Sequence, residues 1–201
     1  MTALQKIEFA ALAAAAAALL VLTIILALRL RRERKKAEKR IKVLEHEVRY
    51  DYLTGALSRK AFTEELEASL AVDPNGTFLI FDINSFKAVN DMYGHKAGDG
   101  LIKRYAAKLL KAFGSEYVGR LGGDEFLVFI PRVCEREDLN ERLKKSGVFR
   151  FDDKTTKLRI TSCCGVAFAP ENGSNFDDLY RKADHALYHS KKNDSTISYC
   201  N

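Results

Sequence analysis

Outside one short segment the chain has no surplus of positive charge, although its net charge is +6 over 201 residues. Residues 29–40 hold eight of the 33 basic residues (Arg29, Arg31, Arg32, Arg34, Lys35, Lys36, Lys39, Arg40) and two of the 27 acidic ones (Glu33, Glu38), leaving 25 of each sign elsewhere. A basic channel is therefore missing, which argues against nucleic acid as a partner and against a polymerase. The four cysteines, Cys134, Cys163, Cys164 and Cys200, lack metal-ligand spacing. Cys163 and Cys164 are adjacent in a strand-like run, where alternation sends them to opposite faces, and all four read as free buried thiols of a reducing compartment. With 47% hydrophobic and 30% charged residues the composition is that of a folded domain and excludes wholesale disorder.

Charge is missing altogether from Phe9 to Leu28, and proline and glycine from Leu30 to Tyr50. The first absence predicts a transmembrane helix over 9–28, alanine-rich in its first half, because twenty residues at about 1.5 Å each reach across a core of roughly 30 Å. A cleaved signal peptide fits less well, since the basic cluster follows the apolar run instead of preceding it. The positive-inside rule then gives a short extracytoplasmic N-terminus at 1–8, too small for a sensor. It also gives a single-pass anchor in the inner (cytoplasmic) membrane and a cytoplasmic C-terminal domain. The second absence predicts a basic juxtamembrane helix over 29–50. Leu30, Ala37, Ile41, Leu44 and Val48 fall at heptad spacing, with Arg34 the polar exception, so a parallel coiled coil and an isolated solvated helix are both open.

From residue 51 the pattern is that of a full-sized domain. Asp51-Tyr52-Leu53-Thr54-Gly55 is a turn, a helix is expected from Ser58 to Leu70, and Asp73-Pro74-Asn75-Gly76 breaks the chain. Thr77–Phe81 is a continuous apolar run, expected as a central strand buried on both faces and ending on Asp82. Gly94–Gly100 reads as a loop before a helix over Leu101–Phe113. Tyr117–Leu121 and Phe126–Ile130 read as two strands joined by Gly122-Gly123-Asp124-Glu125, a tight turn in which glycine permits positive φ and close backbone approach. A helix over Glu135–Lys145, strand over Thr156–Phe168, a helix over Asn175–Lys192 and a last strand over Thr196–Cys200 complete the chain. The expected fold class is α+β: a palm-like antiparallel sheet with flanking helices, preceded by one transmembrane helix.

Two carboxylates in this pattern are costly unless they are used. Asp82 ends a buried strand and Asp124 sits in the hairpin turn. If their strands are neighbours, the pair and a backbone carbonyl form an oxygen-rich site suited to Mg²⁺. Spacing leaves open whether they meet. Taken singly, Lys87 and Lys191 read as surface lysines, His95 as a loop residue, and Asp51 and Asp184 as caps or structural hydrogen-bonding partners.

Four blocks in order carry a resemblance: Asp51-Tyr-Leu-Thr-Gly55; Phe81-Asp-Ile-Asn-Ser-Phe-Lys-Ala-Val-Asn-Asp91 with Gly94-His95 and Gly98-Asp99; Arg120-Leu-Gly-Gly-Asp-Glu-Phe126; and Ala183-Asp-His-Ala-Leu-Tyr188 with Lys191. Over about residues 51–199, taken here as a domain spanning 51–201, the chain resembles the GGDEF family of diguanylate cyclases. The resemblance implies a palm-like nucleotidyl-cyclase fold. It also implies condensation of two GTP into cyclic di-GMP with release of two pyrophosphates, and Mg²⁺ (or Mn²⁺) as cofactor. Because each site holds one GTP, it implies a homodimer as the active form. Carried over by position, Asp82, the Ile83 carbonyl and Asp124 are the implied metal ligands. Glu125 joins Asp124 as a catalytic residue and helps to activate the ribose 3′-hydroxyl. Asn90 and Asp99 are the implied guanine readers, a carboxylate being a suitable acceptor for guanine N–H groups and mismatched to adenine. Ser85, Phe86, Lys87, Gly122, Gly123 and Lys191 are implied around the phosphates.

There are departures. Asn84 stands where the family has Asp, and Cys163 where serine is common. Ser195 stands where an arginine commonly meets the phosphates, and Phe113 and Glu116 occupy the positions of the Arg-x-x-Asp product-inhibition site, so that site is missing. The expected function is a membrane-anchored diguanylate cyclase whose further partner is an unknown signalling or effector protein. The alternative, to which Ser195 points, is a domain that binds GTP or scaffolds a partner without turnover. A cyclase acting on ATP is disfavoured by Asn90 and Asp99.

Overall fold

Strand β2 (Gly76–Ile83) is apolar on both sides because both of its faces are covered. Leu79, Phe81 and Ile83 point into one core with Leu101, Tyr105 and Leu109, whereas Phe78 and Ile80 point into a second with Phe62, Leu66, Phe176 and Leu179. These features are seen in a computed structural model that describes residues 19–20, 22–37, 49–114, 117–153, 156–193 and 195–200. The chain divides into two units, 1–46 and 47–201.

In the first unit, residues 22–37 form a helix, α1. The second unit runs β1 (Leu57–Ser58), α2 (Arg59–Val72), β2, α3 (Phe86–Tyr93), α4 (His95–Phe113), β3 (Val118–Gly122), β4 (Glu125–Ile130), α5 (Arg136–Gly147), β5 (Val148–Asp153), β6 (Thr156–Ala169), α6 (Phe176–Lys192) and β7 (Ile197–Tyr199). The sheet order is β1-β3-β4-β2-β6-β5, with β7 also paired to β6. Antiparallel ladders join β2 to β4 and to β6, β3 to β4, and β5 to β6. The two pairs β1/β3 and β6/β7 are parallel, so the sheet is mixed and not purely antiparallel as expected. Helix α4 covers one face, and α2 and α6 cover the other.

Local chemistry explains the helix limits. The Ser58 side chain accepts from the Ala61 amide and the Asn175 side chain from the Asp178 amide, each an N-cap that satisfies an orphan donor of the first turn. Helix α4 begins at His95, six residues before the expected start, and α3, β1 and β5 were not expected. Cys163 and Cys164 do fall in opposite cores, and all four cysteines are buried and outside any disulfide.

The membrane span expected at 9–28 is overturned. Residues 1–18 and 21 lie outside the described residues. Of the expected span, residues 19–20 and 22–28 are described and helical. Among the described residues no helix is long and apolar enough to cross a membrane. The transmembrane helix in the fold class, the membrane as a partner through residues 9–28, the expected membrane anchoring, and the single-pass inner-membrane localisation are corrected accordingly. Of the juxtamembrane helix expected at 29–50, residues 29–37 are helical within α1, and 38–48 lie outside the described residues.

Gly165 of β6 sets how closely α6 approaches the sheet. A Cβ there would lie 2.0 Å from the Ala183 carbonyl oxygen and 2.5 Å from the Leu187 nitrogen, both backbone atoms that cannot rotate away. Gly165→Ala is expected to cost about 1–3 kcal/mol through overpacking, read as a lowered urea midpoint with an unchanged m-value. An unaltered midpoint would show that α6 is not held at this distance.

Candidate active site

The hairpin β3–β4 turns at Gly122–Asp124. Gly123 has φ +52°, a left-handed conformation that favours glycine, and the pairing breaks register between Arg120 and Gly122. The turn brings Glu125 directly opposite Asp82 in the β2/β4 ladder. Alternation puts both side chains on the face of Phe78, Ile80, Leu127 and Phe129, which is the face covered by α6. From the last turn of α6, Lys191 Nζ reaches Asp82 Oδ2 at 2.7 Å.

Asp82, Asp124 and Glu125 share one electrostatic neighbourhood. Burial, and secondly the Asp82 carboxylate, push the Asp124 carboxyl above its usual range, against the opposing pull of Lys191 and Arg120. Glu125 is pushed up by burial, then by Asp82 and Asp124, with Lys191 again opposing. The negative charge is thus under-compensated by the cations of the chain, and the donors are all hard oxygens, a set that fits Mg²⁺ or Mn²⁺. Asp82, Asp124 and the Ile83 carbonyl could hold such an ion. They do not amount to a cluster of three acidic, His or Cys ligands, and no such cluster occurs among the described residues.

The strand-to-helix passage after Asp82 carries the remaining expected residues. Ser85 has φ +57°, unusual for a non-glycine residue, and its side chain does not cap α3. Helix α3 therefore starts without side-chain capping at Phe86 and Lys87, with Lys87 exposed. Asn90, on α3, lies so close to α4 that a Cβ on Gly98 would sit 1.9 Å from Asn90 Oδ1. Asn90 is thereby brought against the first turn of α4 at Gly98, the residue before the exposed Asp99. Gly122 and Gly123 are exposed, and a Cβ on Gly123 would meet nothing within 4 Å, so conformation and not space calls for glycine there.

Arg120 is a residue to which the sequence reading assigned no role. Its Nε and Nη2 donate to the Gly123 carbonyl oxygen at 3.1 and 2.7 Å, and its Nη1 donates to Asp51 Oδ1 and Oδ2 at 3.0 and 3.2 Å. Asp51 Oδ1 also accepts from the Thr54 amide at 2.9 Å, which makes Asp51 the structural partner expected of it. One guanidinium therefore ties the turn that opens the domain to the glycine turn of the site. The signal was available in the pairing of Asp-x-x-Thr with an arginine just before Gly-Gly. At the far end of α6, the Ser195 amide donates to the Ser190 carbonyl oxygen at 3.0 Å, closing the chain over the helix end. Phe113 is buried at the end of α4, and Glu116 lies outside the described residues.

A family model described as "Diguanylate cyclase, GGDEF domain" matches residues 48–196. The chain is 33% identical to YtrP of Bacillus subtilis (strain 168) over 151 residues, covering 74% of this chain and 26% of that protein. It is 35% identical over 153 residues to the probable diguanylate cyclase DgcF of Escherichia coli (strain K12), covering 71% of this chain and 48% of that protein. It thus spans a quarter to a half of the length of these relatives. Among solved structures, the coiled coil and GGDEF domain of DgcB from Caulobacter crescentus, in complex with c-di-GMP, superposes with a TM-score of 0.76 at 24% identity, covering 84% of this chain and 94% of that one.

The raised carboxyls fix a pH dependence. An acid whose pKa is higher in the fold than in the unfolded chain binds protons more readily when folded. Its ionisation therefore opposes folding, increasingly as pH rises from the ordinary carboxylate range through the raised value. Asp124→Asn is expected to raise Tm at pH 7 in the absence of divalent metal, and the gain is expected to vanish below the ordinary carboxylate range, near pH 4. Paired melting curves of the two proteins across pH check this, and a gain that stays constant with pH would contradict it.

Proposed function

The chain belongs to the diguanylate cyclase GGDEF-domain family, and from that footing we propose that it condenses two GTP into cyclic di-GMP and two pyrophosphates. The observation that carries the reading is the Asp82–Glu125 register with Asp124 in the adjoining turn, which gathers three carboxylates beside a strand-to-helix passage. Asp82, Asp124 and the Ile83 carbonyl would hold Mg²⁺ or Mn²⁺. When bound, such an ion supplies neutralisation of triphosphate charge and polarisation of the α-phosphate. Ser85 and Phe86 at the uncapped start of α3, together with Lys87 and Lys191, receive the phosphates, and the exposed Gly122-Gly123 turn leaves the backbone open to the α-phosphate. Asn90 and Asp99 hold the guanine through acceptors that match its N–H groups.

In the reaction the 3′-oxygen of one GTP bonds to the α-phosphorus of the other as the bond to pyrophosphate breaks, and the hydroxyl proton passes to Glu125. The upward shift of Glu125 suits a proton acceptor near neutral pH. Each domain contributes one GTP, so two copies facing one another complete the ring by repeating the step. Purified protein incubated with GTP and Mg²⁺ is expected to yield cyclic di-GMP, identified by mass. Glu125→Gln should lower turnover by about 10²–10⁴-fold, the usual worth of positioned proton transfer. Absence of product at high protein concentration, with Asp124→Ala behaving identically, rejects the reading. GTP binding without turnover would favour a non-enzymatic role, for which the lack of a cation at Ser195 is the supporting feature.

Lys191 has a second part in this reading. Its ammonium sits on Asp82 before any ligand arrives, as a built-in counter-charge, and transfers to phosphate when GTP binds with its metal. Lys191→Ala is expected to raise the KM for GTP about tenfold or more, since a hydrogen bond to a charged group is worth about 1.5–3 kcal/mol. A smaller change in kcat distinguishes this from a loss of chemistry, and an unchanged KM would remove Lys191 from the phosphates.

A further inference from the structure

Helix α6 carries a feature that the cyclase reading does not use. His185 and His189 stand four residues apart in His-Ala-Leu-Tyr-His, both exposed, with ring centroids 4.6 Å apart and planes at 76°. Residues so spaced share one face of a helix. Here the helix is anchored by the buried Leu179, Ala183, Ala186 and Leu187, so the two rings are presented together without ordering a loop. They open on a cleft of about 620 Å³ between α6 and β7, bordered also by Arg181, Lys182, Asn193, Ser198, Tyr199 and the buried Cys200.

We propose that His185 and His189 chelate one divalent ion of the zinc, copper or nickel class. Imidazole nitrogen suits these late first-row ions, which bind it at about 2.0–2.1 Å, and two rings with centroids 4.6 Å apart on one helix face are close enough to share an ion. Magnesium prefers oxygen ligands, so the ion of this site differs in chemistry from that expected at Asp82 and Asp124. The His-Glu-x-x-His pattern of zinc peptidases is not met. A zinc peptidase has a glutamate directly after the first histidine as its general base, whereas here that position is the buried Ala186. Among the described residues no third His, Cys, Asp or Glu completes a cluster. The ion's remaining positions are therefore filled from outside the chain, by water or by an anion drawn to the cleft by Arg181 and Lys182. Arg181 is held beside the site by Asp178 at 2.8 Å. The inference does not depend on the cyclase activity.

The test uses the full-length, metal-stripped protein with one equivalent of Cu²⁺ as the probe, read by electron paramagnetic resonance. The wild type is expected to show coupling to two imidazole nitrogens, His185→Gln and His189→Gln to one each, and the double variant to none. Zinc titration calorimetry should lose its single-site isotherm in the same double variant. Both residues are exposed, and unchanged circular dichroism verifies the fold of each variant. Fewer than two imidazole nitrogens in the wild type, or a two-nitrogen signal that survives the double substitution, overturns the proposal.

Discussion

The register between β2 and β4 is the constraint on which the rest depends, because it sets Asp82 against Glu125. Two carboxylates opposite one another work against the ladder, by an amount of the order of the roughly 0.2–1 kcal/mol of a cross-strand pair. The apolar residues of β2 decide the matter. Phe78 and Ile80 fill one core and Leu79, Phe81 and Ile83 the other, all essentially inaccessible, and each is worth about 1.5–3 kcal/mol on burial. A slip of one residue would exchange the two faces of the strand, and both cores would be filled by the wrong shapes. The acids are thus carried into proximity by neighbours that have no chemistry of their own.

Two cations then act at different points of the same corner. Lys191 offsets carboxylate charge directly, and it can do so only because α6 is seated against β6 at Gly165 and closed over at its far end by Ser195. Arg120 grips backbone instead, holding the Gly123 carbonyl while Asp51 holds Arg120. Neither restores Asp124 and Glu125 to ordinary carboxyl behaviour, since burial and mutual repulsion still prevail. Hard oxygen donors whose charge Lys191 and Arg120 only partly offset suit a ligand that brings positive charge.

The sequence made the core of this arrangement legible through strong, short-range signals. The apolar run ending on Asp82, the glycine turn, and the helix starts expected at Ser58 and Asn175 each state their structure locally. What was misread depended on tertiary contact. Gly94–Gly100 resembles a loop because it is rich in glycine, yet Gly98 is inside α4, where its missing side chain makes room for Asn90. The parallel pairings of β1 and β7 involve two or three residues each, too few for any periodicity. The membrane span was inferred from a charge-free run followed by a basic cluster, whereas among the described residues no helix is long and apolar enough to cross a membrane. The candidate site residues came from four blocks matched in order, and only the Asp82–Asp124 approach was anticipated on physical grounds.

The two halves of the candidate site are therefore specified by unlike means. The carboxylate half follows from sheet register, which many residues enforce together and no single exchange easily undoes. The half formed by α3 and α4 rests on close approach at one position. Asn90 Oδ1 occupies the space a Cβ would take at Gly98, and Ser85 accepts a left-handed backbone to start α3 immediately after the strand. Such a conformation costs about 1–3 kcal/mol in a non-glycine residue and persists only where the surroundings over-determine it. Here those surroundings are Ile83, buried at the end of β2, and Val89, buried in the same core one helical turn on. Both belong to the core that also contains Leu101 of α4. The strained turn, the short helix and the seat of Asn90 are therefore held by the same apolar contacts that hold the central strand, and the polar half of the site is no more independent of the core than the acidic half.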